Sequence, residues 1–207
     1  MMAQVVTVIA DIVESRKITD RADVQQQLEK VLAECESSVE PLQSMRATVG
    51  DEFQAVYASV VTARKVLLET KLALPAGLDL RFGIGVGAIT SVGDTELQDG
   101  PGWWSARAAI EETERRASGN QSWLRTWLCA ESADLATYIN QNLLAEDFII
   151  SQMKAREKRL ALMTLRGVLQ KEAAAVERIS QSAVSQSLQR SGAAALIAAH
   201  ELAQDFQ

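Results

Sequence analysis

Hydrophobic and polar positions along the first 130 residues alternate between the period of a strand and the period of a helix. An unbroken apolar, largely β-branched run at residues 5–10 predicts a strand that is buried on both faces. The other segments that we predict as strands are a hairpin over 45–57, a long strand over 78–89 and an edge strand over 123–129. Apolar residues at helical spacing predict helices over 20–35, 58–74 and 103–117.

This order of elements, β-α-β-β-α-β-α-β and then helices alone, predicts an α+β fold. A hairpin between two helical crossovers produces a ferredoxin-like sheet, which is also called a split βαβ sheet. Strand patterns cease near residue 130, and everything after it has a helical pattern. We therefore predict a ferredoxin-like domain over residues 1–130 and an all-α region over 131–207.

One face of the predicted strand at 78–89 carries few side chains. Leu80, Phe82 and Ile84 share the apolar face, whereas glycines occupy positions 83, 85 and 87 on the other. A bare face allows a backbone, a ligand or another subunit to approach closely. The pattern leaves these three alternatives open.

The composition excludes several classes of protein. The chain has 207 residues, of which 47% are apolar, so it can bury a sizeable core. No apolar run approaches the roughly 18 residues of a membrane span, and the first residues do not resemble a secretory signal. We therefore expect a cytoplasmic protein that does not bind membranes. One histidine and two cysteines, Cys35 and Cys129, argue against a zinc site or a Ser–His–Asp triad, and we expect both cysteines to be reduced core residues.

Charge is distributed unevenly along the chain. Residues 151–207 hold eight Lys and Arg against five Asp and Glu, although the whole chain has a net charge of −6. An acidic first part and a slightly basic last part favour two regions with different partners.

Two carboxylates stand out because of where the pattern places them. Asp11 follows the first strand, and Asp51 lies at the hairpin turn beside Glu52. In a split βαβ sheet these strands are neighbours, so the carboxylates would lie close together and Asp11, Asp51 and Glu52 would be candidate ligands of Mg²⁺. The alternative is ordinary turn chemistry, since Asp is common at strand ends and in Gly-Asp turns.

Three other residues are candidates for binding a nucleotide. Arg16 and Arg107 could contact phosphate through their guanidinium groups, and Trp103 could stack on a base. The alternatives are surface salt bridges for the two arginines and a place in the core for Trp103, which we favour for the tryptophan.

The last part of the chain contains a helix-turn-helix pattern over residues 170–190. Small and apolar residues at positions 173, 174, 179 and 184 suit two short helices that cross at a tight turn, although Arg178 occupies the turn position where glycine is usual. The second helix has an outer face of amide, hydroxyl and basic side chains without acids, which suits base edges and phosphates. The residues that we predict to contact double-stranded DNA are Lys171, Gln181, Ser182, Ser185, Gln186, Gln189 and Arg190. The alternative is a plain three-helix unit that packs or dimerises.

Several motifs together resemble the SatD family of bacterial proteins. They are VTVIADIVESRKITDR, VGDEFQAVY, LRFGIGVGAIT, DGPGWWSARAAIE and the helix-turn-helix tail. The resemblance covers nearly the whole chain, with the motifs in order.

A wider resemblance links residues 1–130 to the palm domain of class III nucleotidyl cyclases and GGDEF-type enzymes. It implies that Asp11 and Asp51 match the two metal-binding aspartates and that Arg107 matches an arginine that acts on the transition state. Trp103, however, stands where the cyclase motif has Asn, Ala47 falls about where a base-selecting Lys would be, and Val49 replaces the first Gly of the GGDEF pattern. The metal-holding residues are thus present while substrate-handling residues are lost, which argues against ordinary cyclase turnover.

Two functions remain as hypotheses. The first is a DNA-binding transcriptional regulator, expected to be a homodimer, whose palm domain binds a nucleotide with Mg²⁺ or mediates dimerisation. The second is a metal-dependent nucleotidyl cyclase or transferase that uses Asp11 and Asp51, with the helix-turn-helix as a targeting module. A palm domain that serves only as a scaffold is a third alternative.

Overall fold

The computed structural model describes residues 4–48, 50–91 and 98–204. Residues 1–3, Val49 and residues 205–207 lie outside the described residues. So do residues 92–97, which belong to the loop predicted after the long glycine-bearing strand. Within the described part, no helix combines the length and the apolar character that a membrane span requires.

The chain forms an α+β fold, as predicted. Its strands are β1 (Val5–Ile12), β2 (Gln43–Ala47), β3 (Glu52–Tyr57), β4 (Leu80–Gly87), β5 (Thr90–Ser91), β6 (Gln98–Asp99) and β7 (Thr126–Ala130). Its helices are α1 (Arg21–Glu36), α2 (Val60–Ala73), α3 (Pro101–Ala117), α4 (Ala133–Gln152), α5 (Ala155–Leu165), α6 (Gln170–Glu177), α7 (Gln181–Arg190) and α8 (Ala193–Gln204).

Five of the strands form one sheet in the order β2-β3-β1-β4-β7. Strand β1 lies at the centre and pairs antiparallel with both β3 and β4. This is the ferredoxin-like arrangement, because each helical crossover returns the chain past an intervening strand. Helix α3 then adds β7 at the edge, parallel to β4. The ribbon of β5 and β6, whose strands have two residues each, was not predicted.

Helices α1 and α2 cover one face of the sheet and enclose its main core. The largest fully buried side chains of this core come from the sheet and from these two helices, and they include Leu28, Leu32, Phe53, Tyr57, Leu67 and Phe82. Cys35 is buried there, whereas Cys129 on β7 is only partly buried, so the expectation of a core position is wrong for the second cysteine. Both cysteines are free thiols.

Helix α3 covers the other face and packs directly on the bare face of β4. A Cβ atom added at Gly83 would lie 2.4 Å from the Ala106 carbonyl oxygen and from the Ile110 nitrogen, and one at Gly85 would lie 2.2 Å from the Gly102 carbonyl oxygen. Such distances are impossible for real side chains, so the glycines are required for contact between helix and strand. Of the three alternatives that the sequence left open, a backbone occupies this face.

The helical region shares a core with the ferredoxin-like domain. Leu68 and Leu72 of α2 pack into the cluster that Leu160 of α5 and Val184 of α7 also form. The boundary near residue 130 stays a prediction, because α2 belongs to both cores. Helices α5 and α8 therefore pack on α2 and connect the helix-turn-helix to the domain.

A buried ionic network adds to this interface. Lys71 of α2 donates hydrogen bonds to Glu146 (2.5 Å) and Asp147 (2.7 Å) of α4 and to the Thr126 hydroxyl (3.3 Å). Burial by itself opposes the charge of Lys71, but the charges of Asp147 and Glu146 outweigh that effect and raise the pKa of the ammonium group. Three elements are therefore joined at one buried cation.

Helix α4 also covers the open edge of strand β7. The Asn140 side chain accepts from the Leu128 N–H and donates to the Leu128 carbonyl, both at 2.8 Å. Two turns further on, Asp147 accepts from the backbone N–H groups of Arg125 (2.8 Å) and Thr126 (2.7 Å). Side chains of α4 thus take the hydrogen bonds that a further strand would take, which protects this edge from strand addition.

Candidate functional site

The carboxylate of Asp11 is held by an arginine from the neighbouring strand. Arg81 on β4 lies directly opposite Asp11 in the register of the sheet. Its Nε and Nη2 donate to the two carboxylate oxygens at 2.8 and 3.0 Å, and its Nη1 donates to Glu114 of α3 at 3.0 Å. Burial raises the pKa of Asp11 above its ordinary value, while Arg81 opposes that rise. The group that was predicted to hold a metal therefore already has a cationic partner.

Glu52 has a similar partner. Glu52 is the first residue of β3 and pairs with Asp11 of β1 in the register of the sheet. Its carboxylate accepts from Arg107 of α3 at 2.7 Å and from Gln54 at 2.8 Å. The predicted phosphate contact of Arg107 and the predicted metal contact of Glu52 stay predictions. Here the two side chains neutralise each other.

Asp51 and Arg16 lie at a cleft of about 950 Å³ beside the end of β1. Among the described residues, neither side chain has an ion pair or a hydrogen bond. The cleft is lined by charges of both signs, with Arg16, Lys17, Arg81 and Arg125 against Glu14, Asp51, Asp79 and Glu114. The negative charge of Asp51 makes a small contribution to the raised pKa of Asp11, whose main cause is burial.

A magnesium ion is coordinated octahedrally and takes one or two carboxylates from a protein. Within residues 4–48, 50–91 and 98–204, no three Asp, Glu, His or Cys side chains are grouped as metal ligands would be. Arg81 and Arg107 already neutralise Asp11 and Glu52. The side chains as placed therefore do not fit the predicted ion.

The two tryptophans at the start of α3 have different surroundings. Trp103 is buried beside Ile9, Val56 and Ile110 on the α3 face of the sheet. This is the core position that we favoured over base stacking. Trp104 is 61% exposed, and its indole N–H donates to Asp99 at 2.7 Å.

The predicted helix-turn-helix is formed by α6 and α7, with α5 packed against both. Arg178 ends α6 in the left-handed conformation, with φ 54° and ψ 47°. This is the conformation that the usual glycine would adopt, so the turn keeps its shape despite the bulkier residue. Ser180 then caps α7, since its hydroxyl accepts from the Ala183 N–H at 3.1 Å.

Helix α7 has one buried face and one exposed polar face. Val184, Ser187 and Leu188 face the core that α5 and α6 share. The six residues of α7 that were predicted to contact DNA are all exposed, namely Gln181, Ser182, Ser185, Gln186, Gln189 and Arg190. Lys171 on α6 is exposed as well. The structure thus brings the predicted DNA-contacting residues of α7 onto one surface that lacks acidic side chains.

Sequence reasoning missed the partners of the carboxylates. Arg81 alternates with the apolar residues of β4 as the glycines do, next to the strand that carries Asp11, and that alternation was the available signal. Lys71 gave no such signal, because it follows Glu69 and Thr70 in α2, and only the structure shows that it is 3% exposed. A buried lysine requires a counter-charge, but its identity depends on the packing of α4.

Comparison with known proteins gives one family and several structures. The model of the SatD family matches residues 5–206. The solved structure of adenylate cyclases from Trypanosoma brucei in their monomeric state has 18% sequence identity and a TM-score of 0.45, and the match covers 54% of this chain and 69% of that one. The active GGEEF domain of a diguanylate cyclase from Vibrio cholerae has 17% identity and a TM-score of 0.42, with 55% of this chain and 78% of that one covered. No curated protein matches the chain. The family match therefore includes both the sheet and the helical tail.

Proposed function

Because this chain belongs to the SatD family and carries a three-helix unit packed against helix α2, we propose that it is a DNA-binding regulator that reads duplex DNA with helix α7. The observation that carries this proposal is the exposed face of α7, where six polar or basic side chains follow a tight turn with no acid among them. Packing or dimerisation alone would not require such a face.

The chemistry of this surface suits the major groove. Glutamine side chains can pair with adenine, and an arginine can pair with guanine or phosphate. Residues 181, 185 and 189 lie four apart along one line of the helix and residues 182, 186 and 190 along the next, so both lines face outward together. Lys171 on α6 is also exposed, and in this proposal it contacts a phosphate.

The domain acts in this proposal as the body that holds the three-helix unit. Arg166, at the end of α5, donates to the buried Glu69 of α2 at 2.8 Å. Together with the Lys71 network, this ion pair fixes α5 relative to the sheet. A change at the sheet would therefore reach α7 through packed side chains, which suits a sensing role for the palm domain.

The test is a titration of the purified full chain with fluorescently labelled duplexes that are tiled across the DNA upstream of its own gene. Anisotropy would be measured at two salt concentrations, with and without a panel of nucleotides and Mg²⁺. The proposal predicts that one tile binds more tightly than random DNA and that salt weakens the binding. If no tile binds better than random DNA, the proposal is wrong.

A second candidate is nucleotide binding or nucleotidyl transfer in the palm domain. The observation that favours it is that Asp51 and Arg16, which have no ion pair or side-chain hydrogen bond with any described residue, lie beside a cleft next to Asp11. The arginine partners of Asp11 and Glu52 count against a metal-dependent reaction. Incubation with each nucleoside triphosphate and Mg²⁺ tests it, because a product whose formation is lost in Asp11→Asn would favour the enzyme. If no product forms, nucleotide binding without turnover remains the candidate function of this domain.

A further inference from the structure

A second, smaller cavity lies where the sheet domain meets the helical region. Its volume is about 310 Å³, near the lower end of the range for small-molecule sites. The turn before β4, the segment before β7, and helices α4 and α5 all contribute to its walls. Its lining includes Asp79, Trp123, Arg125, Asp147, Ile150 and Lys158.

The carboxylates of this cavity already have cationic partners. Asp79 accepts from the Arg125 Nε at 2.6 Å. Asp147 accepts from Lys71, whose three N–H donors are used by Asp147, Glu146 and Thr126. Neither acid is therefore available to balance a further positive charge.

Lys158 is that further charge. It lies on α5, it is partly buried, and it has no ion pair or side-chain hydrogen bond within the described part of the chain. Burial lowers the pKa of its ammonium group, and Arg125 and Lys71 act in the same direction against Asp79. A partly desolvated ammonium without an acceptor is costly unless a ligand or water supplies one.

Part of the wall is apolar. Trp123, Leu78 and Ile150 line the cavity together with the charged groups. Trp123 is itself held edge-on against Phe148 of α4, with 5.4 Å between the ring centroids. The cavity thus offers both a positive charge and an aromatic surface.

We propose that this cavity binds a small organic anion, with its carboxylate or phosphate on Lys158 and Arg125 and its apolar body against Trp123. Such a ligand would touch the sheet domain and α5 at once. The inference concerns a site separate from the face of α7, and it does not depend on DNA binding.

The test uses phenyl phosphate and benzoate as probes, with benzyl alcohol as a neutral compound of similar shape. Binding would be followed by ¹⁹F NMR of the full chain labelled with 5-fluorotryptophan, with the Trp123 signal assigned from the Trp123→Phe variant. Sodium chloride would match the ionic strength in every sample. We expect at least one anion, but not the alcohol, to shift the Trp123 signal in a saturable way.

The matched variants are Lys158→Gln and Lys30→Gln, since Lys30 is an exposed lysine of α1. Loss of a charged hydrogen bond should raise the dissociation constant about tenfold in Lys158→Gln and leave it unchanged in Lys30→Gln. Lys158→Gln should also fold normally, because the lysine makes no ion pair within the described residues. A shift from phenyl phosphate alone or from benzoate alone would identify the anionic group. No shift from either anion, or equal affinity in Lys158→Gln, would overturn the proposal. DNA titration of the same samples shows separately whether the exposed face of α7 binds DNA.

Discussion

Arg81 holds both carboxylate oxygens of Asp11, at 2.8 and 3.0 Å, across the centre of the sheet. The two side chains are 16% and 26% exposed, so water screens the pair only in part. This pairing determines the charge at this end of β1, because Arg81 supplies the positive charge that a metal ion would otherwise supply. The Asp11–Arg81 ion pair is therefore the difference between this structure and the metal site that the sequence motifs predict.

Removing this arginine should destabilise the fold. In Arg81→Met, Asp11 would remain partly buried without its cationic partner, so we expect a loss of about 2 kcal/mol in the free energy of unfolding at pH 7. The pKa of Asp11 should rise further in the same variant, because burial then acts unopposed by Arg81. Urea unfolding and ¹³C NMR of the carboxyl groups measure the two effects. A double-mutant cycle with Asp11→Asn that gives no coupling energy would show that the pair contributes nothing.

The glycines of β4 should tolerate no side chain. Gly83→Ala would place a Cβ 2.4 Å from two backbone atoms of α3, so the helix would have to move, at a cost of about 1–3 kcal/mol. Gly119→Ala is the matched control, because its added Cβ would meet the nearest atom at 3.4 Å. Thermal unfolding of both variants gives the comparison. Equal melting temperatures for the two would contradict the packing described for α3.

Removing the Asn140 side chain should both destabilise the fold and promote aggregation. In Asn140→Ala, the N–H and C=O groups of Leu128 lose their partners, which should cost about 2 kcal/mol. The exposed strand edge should also promote aggregation. Asn142→Ala, on the exposed side of the same helix, is the control. Light scattering and urea unfolding of the two variants test both effects, and a stable, monodisperse Asn140→Ala protein would refute them.

His200 is the only histidine, so its titration can be assigned without ambiguity. Burial lowers its pKa below the ordinary 6.5, and Lys65 and Arg64 add to this while Glu146 and Glu69 oppose it. The unfolded chain then takes up a proton at a higher pH than the folded one. Stability should therefore fall as the pH drops from 7.5 through 6.5 toward the folded-state value.

The matching measurement is urea unfolding at pH 7.5 and 5.5 for the natural chain and for His200→Gln. The natural chain should lose more stability over this interval than the variant. NMR titration of the imidazole gives the folded-state pKa directly. A value above 6.5 would reverse the predicted direction.

The sequence was sufficient to predict the sheet because the relevant signals are local. The β-branched run of β1 and the glycine alternation of β4 each identify a strand without knowledge of the rest of the chain. The turn at Arg178 was also identified locally, from spacing, although the sequence could not show that an arginine would adopt the left-handed conformation. The β5–β6 ribbon was missed, since strands of two residues have no detectable period.

The ion pairs formed by the candidate site residues could not be predicted in the same way. The placement of Asp11 near Asp51 follows from topology, but its pairing with Arg81 depends on the register of β1 against β4, which periodicity does not fix. The partners of Lys71 depend on how α4 packs, and they come from residues 75 and 76 positions away. Long-range charge pairing is thus the information that the sequence pattern lacks.

The most direct test of DNA reading by α7 compares four variants on the duplex that the natural chain prefers. Gln186→Ala and Arg190→Ala change the proposed surface, and Gln26→Ala and Arg21→Ala are exposed controls of the same residue types on α1. Fluorescence anisotropy at two salt concentrations should show affinities lowered about tenfold for the two α7 variants, with a shallower salt dependence for Arg190→Ala, and no change for the controls. Unchanged affinity and salt dependence in both α7 variants would contradict the proposal that this helix reads DNA.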